Sequence, residues 1–115
     1  MNNNEQNLHV AENHYKNMVN KDFDTMETYL HDDIQFVGPI STIQGKDAVI
    51  AAAKNFSNIL NKIDISSKFA SNDQVMFAYD LSLSTINITL RAAVLMDFQN
   101  GKIKKIETFY DPSKM

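Results

Sequence analysis

Apolar residues recur at helical spacing near the start of the chain. Leu8, Ala11, Tyr15, Met18 and Val19 share one face, which predicts a helix over 5–20 with that stripe turned to a core. His14 lies about 100° from the stripe and His9 further round, so both are expected in water. Asp22 reads as the N-cap of a second helix, its carboxylate placed to accept the free amide hydrogens of the first turn. Phe23, Met26 and Leu30 form that helix's buried stripe. His31 suits its negative end, and Asp32 and Asp33 read as a turn. Ile34, Phe36 and Gly38 then alternate in a short strand that Pro39 stops. Gly45 opens a third helix, with Asp47 in its positive first turn and Val49, Ala52, Ala53, Phe56 and Leu60 on its apolar face.

After Leu60 the apolar period changes from about 3.6 to about 2. Four strands follow, over 62–71, 74–84, 87–98 and 102–111. Helices first and strands afterwards predicts an α+β fold, with helices on one face of a mostly antiparallel sheet. A hairpin turn centred on Thr85 and Ile86 pairs Val75 with Met96, Phe77 with Val94, Tyr79 with Ala92, Leu81 with Leu90 and Leu83 with Ile88. Every pair on that face is apolar or aromatic. The other face pairs Asp80 with Arg91 and Ser82 with Thr89. A slip of one residue would mix the two sets, so the pattern specifies this register.

The last hairpin turns at Gln99, Asn100 and Gly101. A two-residue Asn-Gly turn would put Lys105 and Glu107 on the core face. A three-residue loop, with Gly101 in a left-handed bulge, pairs Val94 with Ile106, Ala92 with Thr108 and Leu90 with Tyr110; it keeps that face apolar and is the expected form. The outer face is then Met76, Ala78, Ala93, Leu95, Ile103 and Phe109, among Asp80, Arg91, Lys105 and Glu107. Contiguous apolar surface rimmed by charge suggests a partner. A homodimer interface over Met76, Ala78, Asp80, Arg91, Ala93, Leu95 and Phe109 is expected; the other possibility is a face covered by the chain's own ends. Asp80 opposite Arg91 predicts a cross-strand ion pair.

The length, 115 residues, suits one domain spanning 1–115. Hydrophobic residues make up 43% and charged residues 22%, a globular balance. A net charge of −3 argues against a nucleic-acid partner, which needs a basic face. The polar N-terminus has no signal-peptide pattern, and the longest apolar run, Ala48 to Ala53, is far short of a membrane span. A soluble cytoplasmic protein without a membrane partner is the expectation. With no cysteine, three histidines and no close histidine pair, no metal site is expected. Three glycines can hardly make a phosphate-binding loop, and no cofactor is expected.

The stretch from Tyr15 through NKDFDTMETYLHDDIQFVGP to TIQGKDAVIAAA, with the ending GKIKKIETFYDP, resembles the SnoaL-like group of the nuclear transport factor 2-like superfamily. The resemblance covers almost the whole chain. It implies a cone: three N-terminal helices packed in the concave face of a curved, mostly antiparallel sheet, with a pocket inside. The family includes ketosteroid isomerases, polyketide cyclases, epoxide hydrolases and domains with no known catalysis, and many members pair through the outer sheet face. One fold with many chemistries leaves the site to be argued separately.

An isomerase or cyclase of this kind needs a carboxylate base in a dry pocket and donors for an enolate. Tyr15 falls where the resemblance implies a tyrosine donor. The base would sit just before Pro39, where this chain has Gly38, and the second acid near Val94. An epoxide-hydrolase site needs an aspartate, arginine, aspartate relay inside the cone. Here Asp80 and Arg91 point outward, and the inner position of the last strand holds Thr108.

What remains inside is Tyr15, Tyr79, Thr108 and Tyr110, with Ser67 beside Tyr79. Met18, Phe36, Phe56, Leu60, Leu81 and Val94 are expected around them. Phenols in an apolar cup can hold a small apolar organic molecule by its polar end, although buried tyrosines are also ordinary core residues. The expected ligand-binding set is Tyr15, Met18, Phe36, Gly38, Phe56, Tyr79, Val94, Thr108 and Tyr110. An acid–base enzyme is the alternative, with Tyr15 as donor and Asp111, at the rim before Pro112, as base. As a strand terminator Asp111 needs no such role. A third reading is a non-catalytic dimerisation or interaction domain.

Overall fold

The computed structural model describes residues 3–84 and 87–114. Helix α1 (Asn3–Asn20) turns Asn7, Ala11, His14, Tyr15 and Met18 inward. Those positions form one stripe at helical spacing, rotated slightly from the purely apolar one. Val19 is therefore 38% exposed and His14 only 5%, a correction to the expectation that Val19 is buried and His14 solvated. His9 is exposed.

Helix α2 (Phe23–Thr28) is capped as expected: the Thr25 amide donates to Asp22 Oδ1 at 3.2 Å. It ends two residues before the expected Leu30. Leu30 is the first residue of strand β1 (Leu30–Val37) rather than part of the helix, and it is fully buried. His31, Asp32 and Asp33 lie in that strand, not in a turn. His31 Nδ1 accepts from the Asp33 amide, and Asp32 pairs with Lys46 at 3.0 Å.

Gly38 donates its amide to the Ser41 carbonyl at 2.8 Å, closing a tight loop into the three-residue strand β2 (Thr42–Gln44). So short a strand left no readable period in the sequence. Helix α3 (Lys46–Ser57) follows with Val49 and Ala53 buried. Its C-terminal end is held by Lys21, whose Nζ donates to the Ser57 carbonyl at 2.9 Å, a cation at the negative pole. Leu60 belongs to the next strand rather than to α3.

Strands β3 (Leu60–Ser71), β4 (Gln74–Leu83), β5 (Ile88–Gln99) and β6 (Lys102–Tyr110) form an antiparallel meander. The sheet order is β2-β1-β6-β5-β4-β3, with β1 parallel to β6. It is curved and open, and α1 packs on β3 and β4 while α3 packs on β1. The β4–β5 register matches the expected pairs, from Val75 with Met96 to Leu83 with Ile88. The turn at Thr85 and Ile86 lies outside the described residues.

The β5–β6 hairpin corrects both sequence readings. Gln99 pairs with Lys102, so the turn is the two-residue Asn100-Gly101, both with positive φ. The register then shifts between Asp97 and Phe98: Phe98 pairs with Ile103 but Asp97 with Lys105. Lys104 is the extra residue of a bulge. Beyond it Met96 pairs with Ile106, Val94 with Thr108 and Ala92 with Tyr110. The bulge restores the apolar face that an uninterrupted two-residue hairpin would lose. The two-residue turn places Ile103 opposite the buried Phe98, so Ile103 is a fully buried core side chain and not part of the outer face.

Candidate functional site

The concave side of the sheet and the helices line a half-open cavity of about 220 Å³. Helix α1 supplies Tyr15 and Met18, and α3 supplies Ala52 and Phe56. Phe36, Ser41 and Ile43 come from β1, its loop and β2; Tyr79, Leu81, Leu90, Thr108 and Tyr110 come from β4, β5 and β6. None of these side chains is a carboxylate, amine or guanidinium.

The phenols meet at one side. Tyr15 Oη lies 3.3 Å from Tyr79 Oη, a hydrogen bond across two elements, and the two rings stand 5.3 Å apart. Burial pushes the Tyr15 phenol well above its ordinary range, reinforced by the adjacent Tyr79. Burial likewise pushes Tyr79 up to about 12, against the opposing hydrogen bond from Tyr15. Both groups are therefore neutral at ordinary pH and act as hydroxyl donors or acceptors. Thr108 Oγ1 is buried and has no hydrogen-bond partner.

Other expected site residues lie close by but not on the cavity wall. Val94 is fully buried between Phe77 and Thr108 in the sheet. Gly38 stands behind Phe36 and Thr108. Leu60 is buried in the core. Ser67 is not beside Tyr79: a register shift between Ile65 and Ser67 leaves Ile65 opposite Tyr79, and Ser67 is exposed. Ser41, Ile43, Ala52 and Leu90 were missed. Leu90 was readable as an inner-face residue, whereas Ser41 and Ile43 depend on the unrecognised β2.

Asp111 is elsewhere. Its Oδ1 accepts from the Ser113 amide at 3.0 Å and from Ser113 Oγ at 2.7 Å, and those bonds hold its carboxyl below the usual range. It borders a different cleft, with Arg91 and Lys114. Among the described residues, no group of three potential ligands stands close enough to hold a metal ion, and no helix is long and apolar enough to cross a membrane.

On the outer face, Phe69, Met76, Leu95 and Glu107 lie side by side across four strands, next to Ala78, Ala93 and Phe109. Phe69 is 70% exposed, Phe109 45% and Met76 41%. Phe69 adds to the apolar area read from the sequence. Asp80 and Arg91 are on this side, with Arg91 Nε 3.4 Å from Asp80 Oδ1. An exposed pair of this kind contributes little to stability.

Several solved structures share the architecture. A nuclear transport factor 2-like protein of unknown function from Cytophaga hutchinsonii superposes with a TM-score of 0.84 at 17% identity, over 94% of this chain and 92% of the other. An LEH-like epoxide hydrolase from M. tuberculosis gives 0.84 at 17% identity, over 97% and 87%. A de novo designed protein with a curved β-sheet gives 0.85 at 17% identity, over 95% and 88%. No curated protein sequence matches the chain. Residues 11–106 match the SnoaL-like domain, and with the cone-shaped arrangement just described, the chain belongs to the SnoaL-like family of the nuclear transport factor 2-like fold.

Proposed function

We propose that the protein binds a small, mostly apolar, uncharged organic molecule in the cavity, with the Tyr15–Tyr79 pair holding its polar end. The observation that carries this reading is a lining that offers hydroxyl groups and hydrocarbon but no charged side chain. A carboxylate or ammonium placed there would lose its hydration without gaining a counter-charge, whereas a carbonyl or hydroxyl would gain a hydrogen bond. Raised phenol pKa values support donation of a hydrogen bond without loss of the proton.

Thermal unfolding in the presence of a panel of neutral ketones, lactones and steroids tests the reading. A ligand at a hundred times its dissociation constant should stabilise the protein by about 2.7 kcal/mol. Tyr15→Phe should weaken that ligand by roughly fivefold, the worth of one neutral hydrogen bond. Absence of any shift across the panel would count against the reading.

The acid–base alternative requires Asp111 as base, and its test is loss of turnover in Asp111→Asn. The bonds from Ser113 and the placement outside the cavity favour a strand-ending role instead. We further propose that two copies pair through the outer sheet face. The half-exposed Met76 and Phe109 with Phe69 form an apolar area unusual for a solvated sheet.

A further inference from the structure

The end of the molecule away from the apolar cavity holds another half-open cleft, of about 430 Å³. Helix α1 contributes Asn3, Gln6 and Asn7 to it, and Tyr29 stands where α2 ends. Asp73 and Asn100 come from the β3–β4 and β5–β6 turns. Asn7 is eight residues before Tyr15, about 12 Å along the helix.

The walls are anchored. Ser71 pairs with Gln74, so Asn72 and Asp73 form a two-residue turn, and both have positive φ, as Asn100 and Gly101 do. The Phe98 amide donates to the Asp73 carbonyl at 2.8 Å, which ties one turn to the strand that leads into the other. The Ile103 amide donates to the Tyr29 carbonyl at 2.8 Å, which fixes Tyr29 against β6. The cleft is therefore preformed, and a ligand need not order it.

Asn7 points to a ligand. It stands in the core-facing stripe of α1 and is only 4% exposed. Among the described residues its side-chain amide makes no hydrogen bond. A mostly buried amide without partners costs stability that an apolar side chain would not. The cleft that Asn7 lines is where its amide can be completed.

The other groups narrow the chemistry. Each amide offers both donors and an acceptor, which matches a hydroxyl, itself donor and acceptor. The Asp73 carboxylate can accept from two neighbouring hydroxyls. The Tyr29 ring, 38% exposed, offers an apolar face to C–H groups. An anion drawn to the N-terminus of α1 meets the Asp73 charge. A divalent cation finds one carboxylate and the positive end of a helix. A neutral polyhydroxyl ring meets neither obstacle.

We propose that this cleft binds a neutral pyranose sugar, with the Asn7 amide and the Asp73 carboxylate holding its hydroxyls and the Tyr29 ring against its C–H face. The site is separate from the apolar cavity and does not depend on what that cavity binds.

Amide-resolved NMR titration of the intact protein tests it. The probes are glucose, galactose, mannose and N-acetylglucosamine at millimolar concentration, with calcium chloride and inorganic phosphate alongside. At least one sugar should shift the amides of Gln6, Asn7, Asp73 and Asn100 together and leave those of Tyr79 and Thr108 in place. Asn7→Leu, similar in shape but without the amide, should weaken that sugar by roughly fivefold or more and should not lower the unfolding midpoint. Asp73→Asn, which suits the same turn, should weaken it as well. If Asn7→Leu loses the fold, Asp73→Asn decides, and unchanged affinity there overturns the proposal. Shifts with phosphate or calcium but with no sugar would make the cleft an ion site and overturn it. So would silence with all four sugars, or shifts confined to the apolar cavity.

Discussion

Burial acts in opposite directions on the neighbours His14 and Tyr15, whose rings meet edge to face at 5.2 Å. It raises the phenol and lowers the imidazole, in each case against the charged form. His14 falls from 6.5 to about 4, and its Nδ1 has no hydrogen-bond partner. Between those two values the unfolded chain binds a proton that the folded chain does not. Stability should therefore fall as pH drops through this window, by about 3 kcal/mol in all. Asp32 and Asp111 have lowered carboxyl pKa values, so their losses come at more acid pH. Urea unfolding across the window should show the fall in the wild-type protein and a flatter curve in His14→Leu; an unchanged slope in the variant would assign the effect elsewhere. The burial of His14 was hidden because a hydropathy pattern discounts histidine and asparagine, although Asn7, Ala11, His14 and Met18 mark one stripe as clearly as any apolar set. Tyr15 and Tyr79 were legible as inner residues, but their mutual hydrogen bond depends on how α1 lies over β4, which no local pattern carries.

At the scale of elements, the hairpins differ in how openly they are encoded. The β4–β5 register follows from strict alternation on both strands, with Asp80, Ser82, Thr89 and Arg91 all kept off the core face. In β6 the alternation breaks: Ile103 and Ile106 are three residues apart yet both reach the core. In a period-two strand that spacing demands one extra residue, which is the bulge at Lys104, and this was the available signal. The error displaced the expected pairs by two residues along β6, so Thr108 and Tyr110 kept their expected face. The turn itself depends on Asn100 and Gly101 at φ of 53° and 79°. Gly101→Ala should cost about 1–2 kcal/mol, the usual penalty for a side chain in the left-handed region. Chemical denaturation measures it, and a neutral substitution would mean that the turn relaxes to another form.

For the whole molecule, the α+β class and the cone were legible because the change of period is sharp and the resemblance spans nearly the full chain. The parallel β1–β6 pairing was not, since it joins distant segments and leaves no local mark. If two copies pair through the outer face, light scattering at micromolar concentration should return twice the 13.1 kDa chain mass. Introducing charge at its middle, in Met76→Lys with Phe109→Lys, should return the single mass with the fold intact. A wild-type protein that runs as a single copy would refute the pairing. The strand order carries one more consequence. Strand β6, last of the six along the chain, lies between β5 and β1 near the middle of the sheet. During synthesis the β3–β5 meander can form early, but β1 and β2 have no sheet to join until β6 has emerged. Leu30, which pairs with Ile103 and is fully buried in the finished fold, must wait for that strand. The apolar edge of β1 therefore stays unclosed until β6 is in place, and completion of the sheet is set by that single strand.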